Sequence, residues 1–368
     1  MITRHRVGFS FTIRRGARPA AGSIRRRARA TVLLGVAAII LAQVGLAVAV
    51  ESRRPEWRDP EFFHRRKNLN AMAKWSAETG QPRSLVVILG TSRSVMGLSP
   101  GHLGFGHGPC APLACHCSQT GCMPIDQRLN LGRVLDAGLT PDFVLVEVLP
   151  PVLADPRPVG EQVKVNRLGT ADLVRLRPYL ADPSPVVTRW ASGRAAGWYT
   201  FRFDLLAHAG QGDLIPASVR QDFLWNTLPA DGWGPFSPGE WPTDAWARGI
   251  ARARGQYAWL LADFRVNPES ARAHRELLAE CRARGIRAAL FVMPESPTFR
   301  GWYPPAARDA VRDYLAGLSA AFGAPVFDAS AWIDDEAAFL DGHHLFGPEA
   351  VRFSERFGRE CVGPWVRG

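Results

Sequence analysis

Ser84-Leu-Val-Val-Ile-Leu-Gly-Thr-Ser-Arg93 is the stretch on which the fold turns. Five apolar residues in unbroken succession, closed by Gly90, are too short for a helix and have no polar alternation. They therefore read as a strand buried on both faces, the kind found inside parallel sheets. Phe143-Val-Leu-Val-Glu-Val-Leu149 repeats the pattern between Thr140-Pro-Asp142 and Pro150-Pro151. Before it, Leu129, Leu131, Val134 and Leu135 recur at helical spacing in Ile125 to Leu139, which predicts a helix stopping near Gly138. Towards the C-terminus the pattern predicts helices over 244–264 and 268–284, a strand over 287–293, a helix over 304–322, a strand over 325–328 and a final helix over 347–357. Strands alternating with helices imply an α/β fold with a doubly wound parallel sheet. Residues 152–240 break the rhythm. They are loop-rich, carry Trp190, Trp198, Trp225 and Trp233, and read as a mainly helical insertion.

With 368 residues and 46% hydrophobic content the chain has enough apolar surface for one large or two ordinary domains. Its net charge of +11 suggests nucleic acid until it is located. Nine arginines and no acid lie in residues 1–50, which leaves 36 basic against 34 acidic residues in the remainder. A nearly neutral body offers no footprint for DNA or RNA. After the arginines comes Ala30 to Val50, uncharged and with Gln43 as its only strongly polar side chain. At 1.5 Å per residue it spans about 30 Å, the thickness of a bilayer's hydrocarbon. The sequence thus divides into a basic cytoplasmic tail (1–29), a transmembrane helix (30–50), a juxtamembrane segment (51–83) and an α/β domain (84–368) outside the cytoplasm, the orientation following the positive-inside tendency. A cleaved signal, for which Ala47-Val-Ala49 suits a peptidase, and a buried core helix are the competing readings.

Cys110, Cys115, Cys117 and Cys122 crowd together beside His107 and His116. Their spacing lacks the paired knuckles of structural zinc sites, so no metal is expected; local disulfides and free thiols in an irregular loop both remain open. Neither a Walker-type loop nor a dinucleotide fingerprint is present, and no cofactor is expected.

The candidate chemistry sits at both ends of the α/β domain. Ser92 follows the first strand, where an open parallel sheet presents its reacting groups. Asp341-Gly-His-His344 precedes the last predicted helix. An Asp three residues before a His can orient the imidazole, which can then take a proton from a serine brought close by the fold. In these features the chain resembles the SGNH, or GDSL-like, hydrolase superfamily. Gly90-Thr91-Ser92 stands where that family has Gly-Asp-Ser, and Asp341-Gly-His-His344 matches its closing Asp-x-x-His block. The resemblance implies a three-layer flavodoxin-like fold, Ser92 as nucleophile, His344 as base and Asp341 as its orienting partner. It also implies an oxyanion hole built from the N–H groups of Ser92 and Gly121. One departure stands out: at the family's Asn position this chain has Glu147, a carboxylate that would repel an oxyanion.

Ser92-Arg93 behind a single N-terminal apolar helix is further similar to a membrane-anchored branch associated with acyl transfer onto cell-surface polymers. The expected activity is that of an extracytoplasmic serine esterase or O-acyltransferase acting on ester-bearing envelope carbohydrate or lipid; the alternative is a non-catalytic envelope-binding or scaffold relative. Arg93 and Glu295 are candidate substrate contacts, with a structural ion pair and loop capping as the competing roles. His343 is expected to be exposed or structural.

Overall fold

The computed structural model describes residues 21–368 except 79, 81–82, 107, 109–110, 217–218, 220–228 and 236–243. Most of the basic tail, His107, Cys110 and Trp225 therefore lie outside the described residues. In chain order the elements are α1 (Ala21–Val48), α2 (Pro60–Glu78), β1 (Leu85–Leu89), α3 (Ser92–Gly97), β2 (Leu113–His116), α4 (Pro124–Asp136), β3 (Phe143–Glu147), α5 (Pro150–Leu153), α6 (Val159–Gln162) and α7 (Thr170–Leu176). Then follow α8 (Ser184–Ala195), α9 (Gly197–Thr200), α10 (Arg202–His208), α11 (Ala245–Ala262), α12 (Pro268–Ala283), β4 (Arg287–Val292), α13 (Pro297–Arg300), α14 (Pro305–Phe322), β5 (Val326–Asp328), α15 (Gly347–Phe357) and α16 (Gly363–Arg367).

The five strands form one sheet, ordered β2-β1-β3-β4-β5, and every pairing is parallel. Side chains alternate across it. Val87 and Leu89 of β1 join Val144 and Val146 of β3 in a core that also takes Phe62 from α2, Leu131 from α4, Leu277 from α12 and Leu315 from α14. Val86 and Ile88 face the other way, into a core closed by Phe353 and Phe357 of α15. Helices thus cover both faces, which explains the unbroken apolar runs: a strand between two helical layers has no solvent side. The order changes direction between β1 and β3, and ligands of such sheets gather at the carboxyl ends beside that switch.

Two segments differ from the sequence reading. The cysteine stretch is not an irregular loop: Leu113 to His116 forms edge strand β2, paired with β1. Cys115 and Cys117, two residues apart, share one face and both sit in the core with α2. The five described cysteines are free thiols, and burial pushes Cys117 up to about 12. These thiols are packing atoms. The segment set apart from the α/β domain as juxtamembrane is instead integral to it. Phe62, Phe63 and Leu69 of α2 are buried, and its charges go in with partners. Arg65 donates to the carbonyls of Glu61 and Gly232, while Glu61 accepts from Arg167 at 2.9 Å and from the Thr120 N–H at 2.8 Å. Burial opposes ionisation of Glu61, but Arg65 and Arg167 outweigh it and hold the carboxyl down at about 2.

Among the described residues one helix, within Arg25–Arg53, is long and apolar enough to cross a membrane. The described part of the 152–240 insertion is helical, as expected, and its α8 and α9 pack against the end of α1.

Candidate active site

Gly90 ends β1 because nothing larger fits. A Cβ there would come within 2.5 Å of Glu147 Oε2 and 2.8 Å of Glu147 Cβ. The chain then turns sharply and starts α3, with Thr91 as N-cap: its Oγ1 accepts the Arg93 N–H at 3.1 Å. Ser92 is the first helical residue and remains partly exposed. Among the described residues its amide has no protein acceptor, as befits the first N–H of a helix.

The partner loop is built with similar economy. A Phe339–Leu345 bridge and a Leu340 N–H to His344 carbonyl bond of 2.9 Å pinch residues 339–345 into a tight turn. Gly342 occupies its left-handed position, with φ of +87°. Inside the turn, Asp341 Oδ1 accepts the backbone N–H of His344 at 3.0 Å and of His343 at 3.3 Å. Helix α11 backs the loop closely enough that a Cβ on Gly249 would lie 2.9 Å from that of Asp341.

The two stretches meet. His344 Nε2 lies 2.8 Å from Ser92 Oγ, and its Nδ1 lies 2.9 Å from Asp341 Oδ2. A carboxylate on Nδ1 fixes the tautomer that protonates that nitrogen and leaves the Nε2 lone pair facing the hydroxyl. Burial by itself raises the Asp341 carboxyl, but the two imidazoles and the hydrogen bonds they donate outweigh it and hold the group far below the usual carboxylate range. Asp341 therefore stays anionic beside His344. His343 is buried against Tyr257 and Phe299, with ring centroids 5.2 and 5.3 Å away. Burial, and next the adjacent His344, push it down to about 4, so it is a neutral packing group. Asp341, His343 and His344 also bring ligand atoms within 4.8 Å of one another, but a cation there would take the carboxylate that orients the imidazole.

The remaining sequence candidates fall elsewhere. Arg93 is 1% exposed, and its two terminal nitrogens donate to the carbonyls of Met293 (2.7 Å) and Pro294 (3.0 Å) and to Glu295 Oε1 (3.1 Å). Glu295 is buried too and accepts the Tyr303 hydroxyl at 2.9 Å. The pair is thus the structural one, pinning the Ser92 turn to the end of β4. Gly121 stands in the turn after β2 with φ of +70°, exposed, where a Cβ would lie 3.9 Å from Lys164 Nζ of the insertion. The β2 loop reaches the Ser92 turn two residues earlier, where the Gln119 N–H donates to the Gly90 carbonyl at 3.1 Å.

Sequence reasoning missed the role of Glu147, whose signal was a lone carboxylate inside an otherwise apolar strand. It is fully buried, and its carboxylate hydrogen-bonds to Thr91. Its Oε2 accepts the Thr91 N–H at 2.7 Å, and both oxygens lie 3.1 Å from Thr91 Oγ1. Arg93 Nε stands 3.8 Å from Oε1. The Glu147 charge is thus spent on the Thr91 N–H and hydroxyl in the turn that carries Ser92. No protein-family model and no curated protein matches the chain.

Proposed function

We propose that the chain is an SGNH-like serine esterase or O-acyltransferase, held in a membrane by α1 with its α/β domain outside the cytoplasm. The observation that carries this reading is the continuous Asp341–His344–Ser92 relay, 2.9 Å and 2.8 Å in its two links, assembled from segments some 250 residues apart. In the mechanism His344 Nε2 takes the proton as Ser92 Oγ attacks an ester carbonyl, and Asp341 stabilises the imidazolium that forms. His344 then gives the proton to the departing alkoxide, leaving an acyl-Ser92 ester. Water or a hydroxyl of an acceptor sugar, deprotonated in turn by His344, attacks that ester and frees Ser92. The oxyanion is met by the Ser92 N–H at the start of α3; the substrate is an ester-bearing envelope carbohydrate or lipid.

The test is covalent. A fluorophosphonate should leave one adduct on Ser92 of the purified full chain, and His344→Ala should abolish it. A folded chain that takes no label and turns over no aryl acetate supports instead a non-catalytic envelope-binding protein.

A further inference from the structure

The insertion carries a second kind of information, in how it meets α1. From Gln43 onward one face of α1 is covered: Gln43, Leu46 and Ala47 are partly buried and Val50 fully. Gly197 and Trp198 of α9 form part of the cover, beside α8. Gly197 lets the backbones approach, since a Cβ there would sit 3.3 Å from Leu46 Cδ2. The Trp198 N–H donates to Gln43 Oε1 at 3.3 Å, which gives the lone polar side chain of the apolar run its partner. The far end of α1 is tied down as well, by Arg58 on the Val50 carbonyl (2.8 Å) and Arg194 on Glu51 (3.4 Å). Contact with the body therefore begins inside the apolar run and not at its edge.

The depth follows from helix geometry. Gln43 precedes Val50 by two turns, about 10 Å along the axis. If the apolar run lies in the bilayer, α9 lies there too. Its side chains suit that place: Trp198 is 62% and Tyr199 68% exposed, large aromatic surfaces left uncovered by protein. The Arg202 guanidinium stacks 4.0 Å from the Tyr199 ring centre, a cation at the level where headgroup phosphates sit. Trp and Tyr are the side chains that gather at the membrane–water boundary, and interfacial segments sink about 5–10 Å into it.

We propose that α9, with the flanking ends of α8 and α10, is seated in the lipid leaflet next to the α/β domain, so that the insertion is a membrane-resting collar around α1. This rests on the reading of α1 as a membrane span. The occupant of the exposed Trp198 and Tyr199 surface is phospholipid.

Photocrosslinking tests it with the full chain in phosphatidylcholine–phosphatidylglycerol nanodiscs. Benzoylphenylalanine is placed singly at Trp198, Tyr199, Ile39 on the open face of α1, or Trp259, an exposed tryptophan on α11 against the histidine loop. Each variant is first checked for an unchanged thermal melt. Lipid adducts at 198 and 199 within a few-fold of the yield at 39, with none at 259, are expected. Adducts at 39 without any at 198 and 199 overturn the collar while keeping the anchor. Absence at all four positions removes the anchor and the collar together. Equal yields at 198 and 259 also overturn the proposal, since they would mark unselective lipid contact.

Discussion

The sheet carries two serine–histidine pairs at its carboxyl edge, and only one of them has a carboxylate behind its imidazole. At the end of β1, Ser92 meets His344 at 2.8 Å; at the end of β2, Ser118 Oγ lies 3.2 Å from His116 Nδ1. Distance hardly separates them. The far nitrogen does: His344 is held by the Asp341 carboxylate, whereas His116 Nε2 is 2.6 Å from the Leu98 carbonyl, a neutral acceptor that stabilises an imidazolium less than a carboxylate does. Access separates them further. Ser92 and His344 keep exposed surface, while His116 and Ser118 are fully buried, and burial pushes His116 down to about 3. A base that cannot accept a proton at neutral pH is scaffold, and Ser118 is further engaged with Ile88 O and Ser94 Oγ at 3.2 Å each. The two pairs thus differ in the third group behind the imidazole and in their route to solvent.

The most direct way to break this comparison is to remove each nucleophile in turn. Ser92→Ala should lower aryl-acetate turnover by about 1,000-fold or more, since loss of a triad member leaves only the oxyanion donors and binding. It should leave the urea midpoint close to that of the parent, because the hydroxyl is partly exposed. If Ser118→Ala abolished fluorophosphonate labelling and Ser92→Ala did not, the assignment would be reversed.

A smaller effect is expected at Glu147, which does for the nucleophile turn what Asp341 does for the base loop. Glu147→Gln keeps the shape but removes the charge, and its amide can accept the Thr91 N–H through one oxygen only. Turnover should fall by about 10- to 100-fold through misplacement of Ser92, chiefly in kcat with KM little changed. Stability should fall by about 1–3 kcal/mol as a buried network loses a charge-assisted bond. A kcat equal to that of the parent would show that the turn holds Ser92 without the carboxylate.

How far the sequence discloses all this follows the same division. Leu85–Leu89 and Phe143–Glu147 were legible because strands buried on both faces must be continuously apolar. Ser92, Asp341 and His344 were legible because their spacing is local chemistry: a Gly turn, and an Asp whose oxygen reaches the N–H three residues on. β2 was not, since Leu-Ala-Cys-His has no β-branched residue and owes its extended form to pairing with β1. The burial of α2 was hidden for a related reason: Arg65 and Glu61 look solvated until their partners, over 100 residues away in Gly232 and Arg167, are seen. Glu147 was noticed as a misfit, but no sequence pattern says that a carboxylate will turn towards a backbone N–H across the sheet.

Acid sharpens the contrast between the histidines. His116, His274 and His343 are buried and neutral, burial being the first cause in each, and stand at about 3, 4 and 4. Unfolded, each would take a proton near pH 6.5. Below that pH the unfolded chain binds more protons than the folded one, so stability should fall as pH drops from about 6.5 towards 4. Asp341 works in the same direction at lower pH: its depressed carboxyl contributes stability above its unfolded value near 3.9, lost as pH falls further. Urea midpoints measured across this range should decline, and His274→Asn should make the decline shallower. A flat profile would mean the three rings stay hydrated.

The smallest expected effect is at Ser118, and it is the one that separates packing from chemistry most cleanly. Removing its hydroxyl takes a partner from His116 Nδ1, yet the groups around it keep others. The Ile88 carbonyl still accepts the Cys117 N–H at 2.8 Å, Ser94 Oγ still donates to the Thr91 carbonyl at 3.1 Å, and His116 Nε2 keeps Leu98. Ser118→Ala should therefore cost about 1 kcal/mol, one buried hydrogen bond's net worth, with kcat and KM unchanged. Ser92→Ala should show the inverse, activity lost and stability kept. Should Ser118→Ala instead lower kcat at an unaltered urea midpoint, the path from Ser118 through Ser94 to the Thr91 carbonyl would have to be counted as part of the nucleophile turn's support, and the two pairs would no longer be independent.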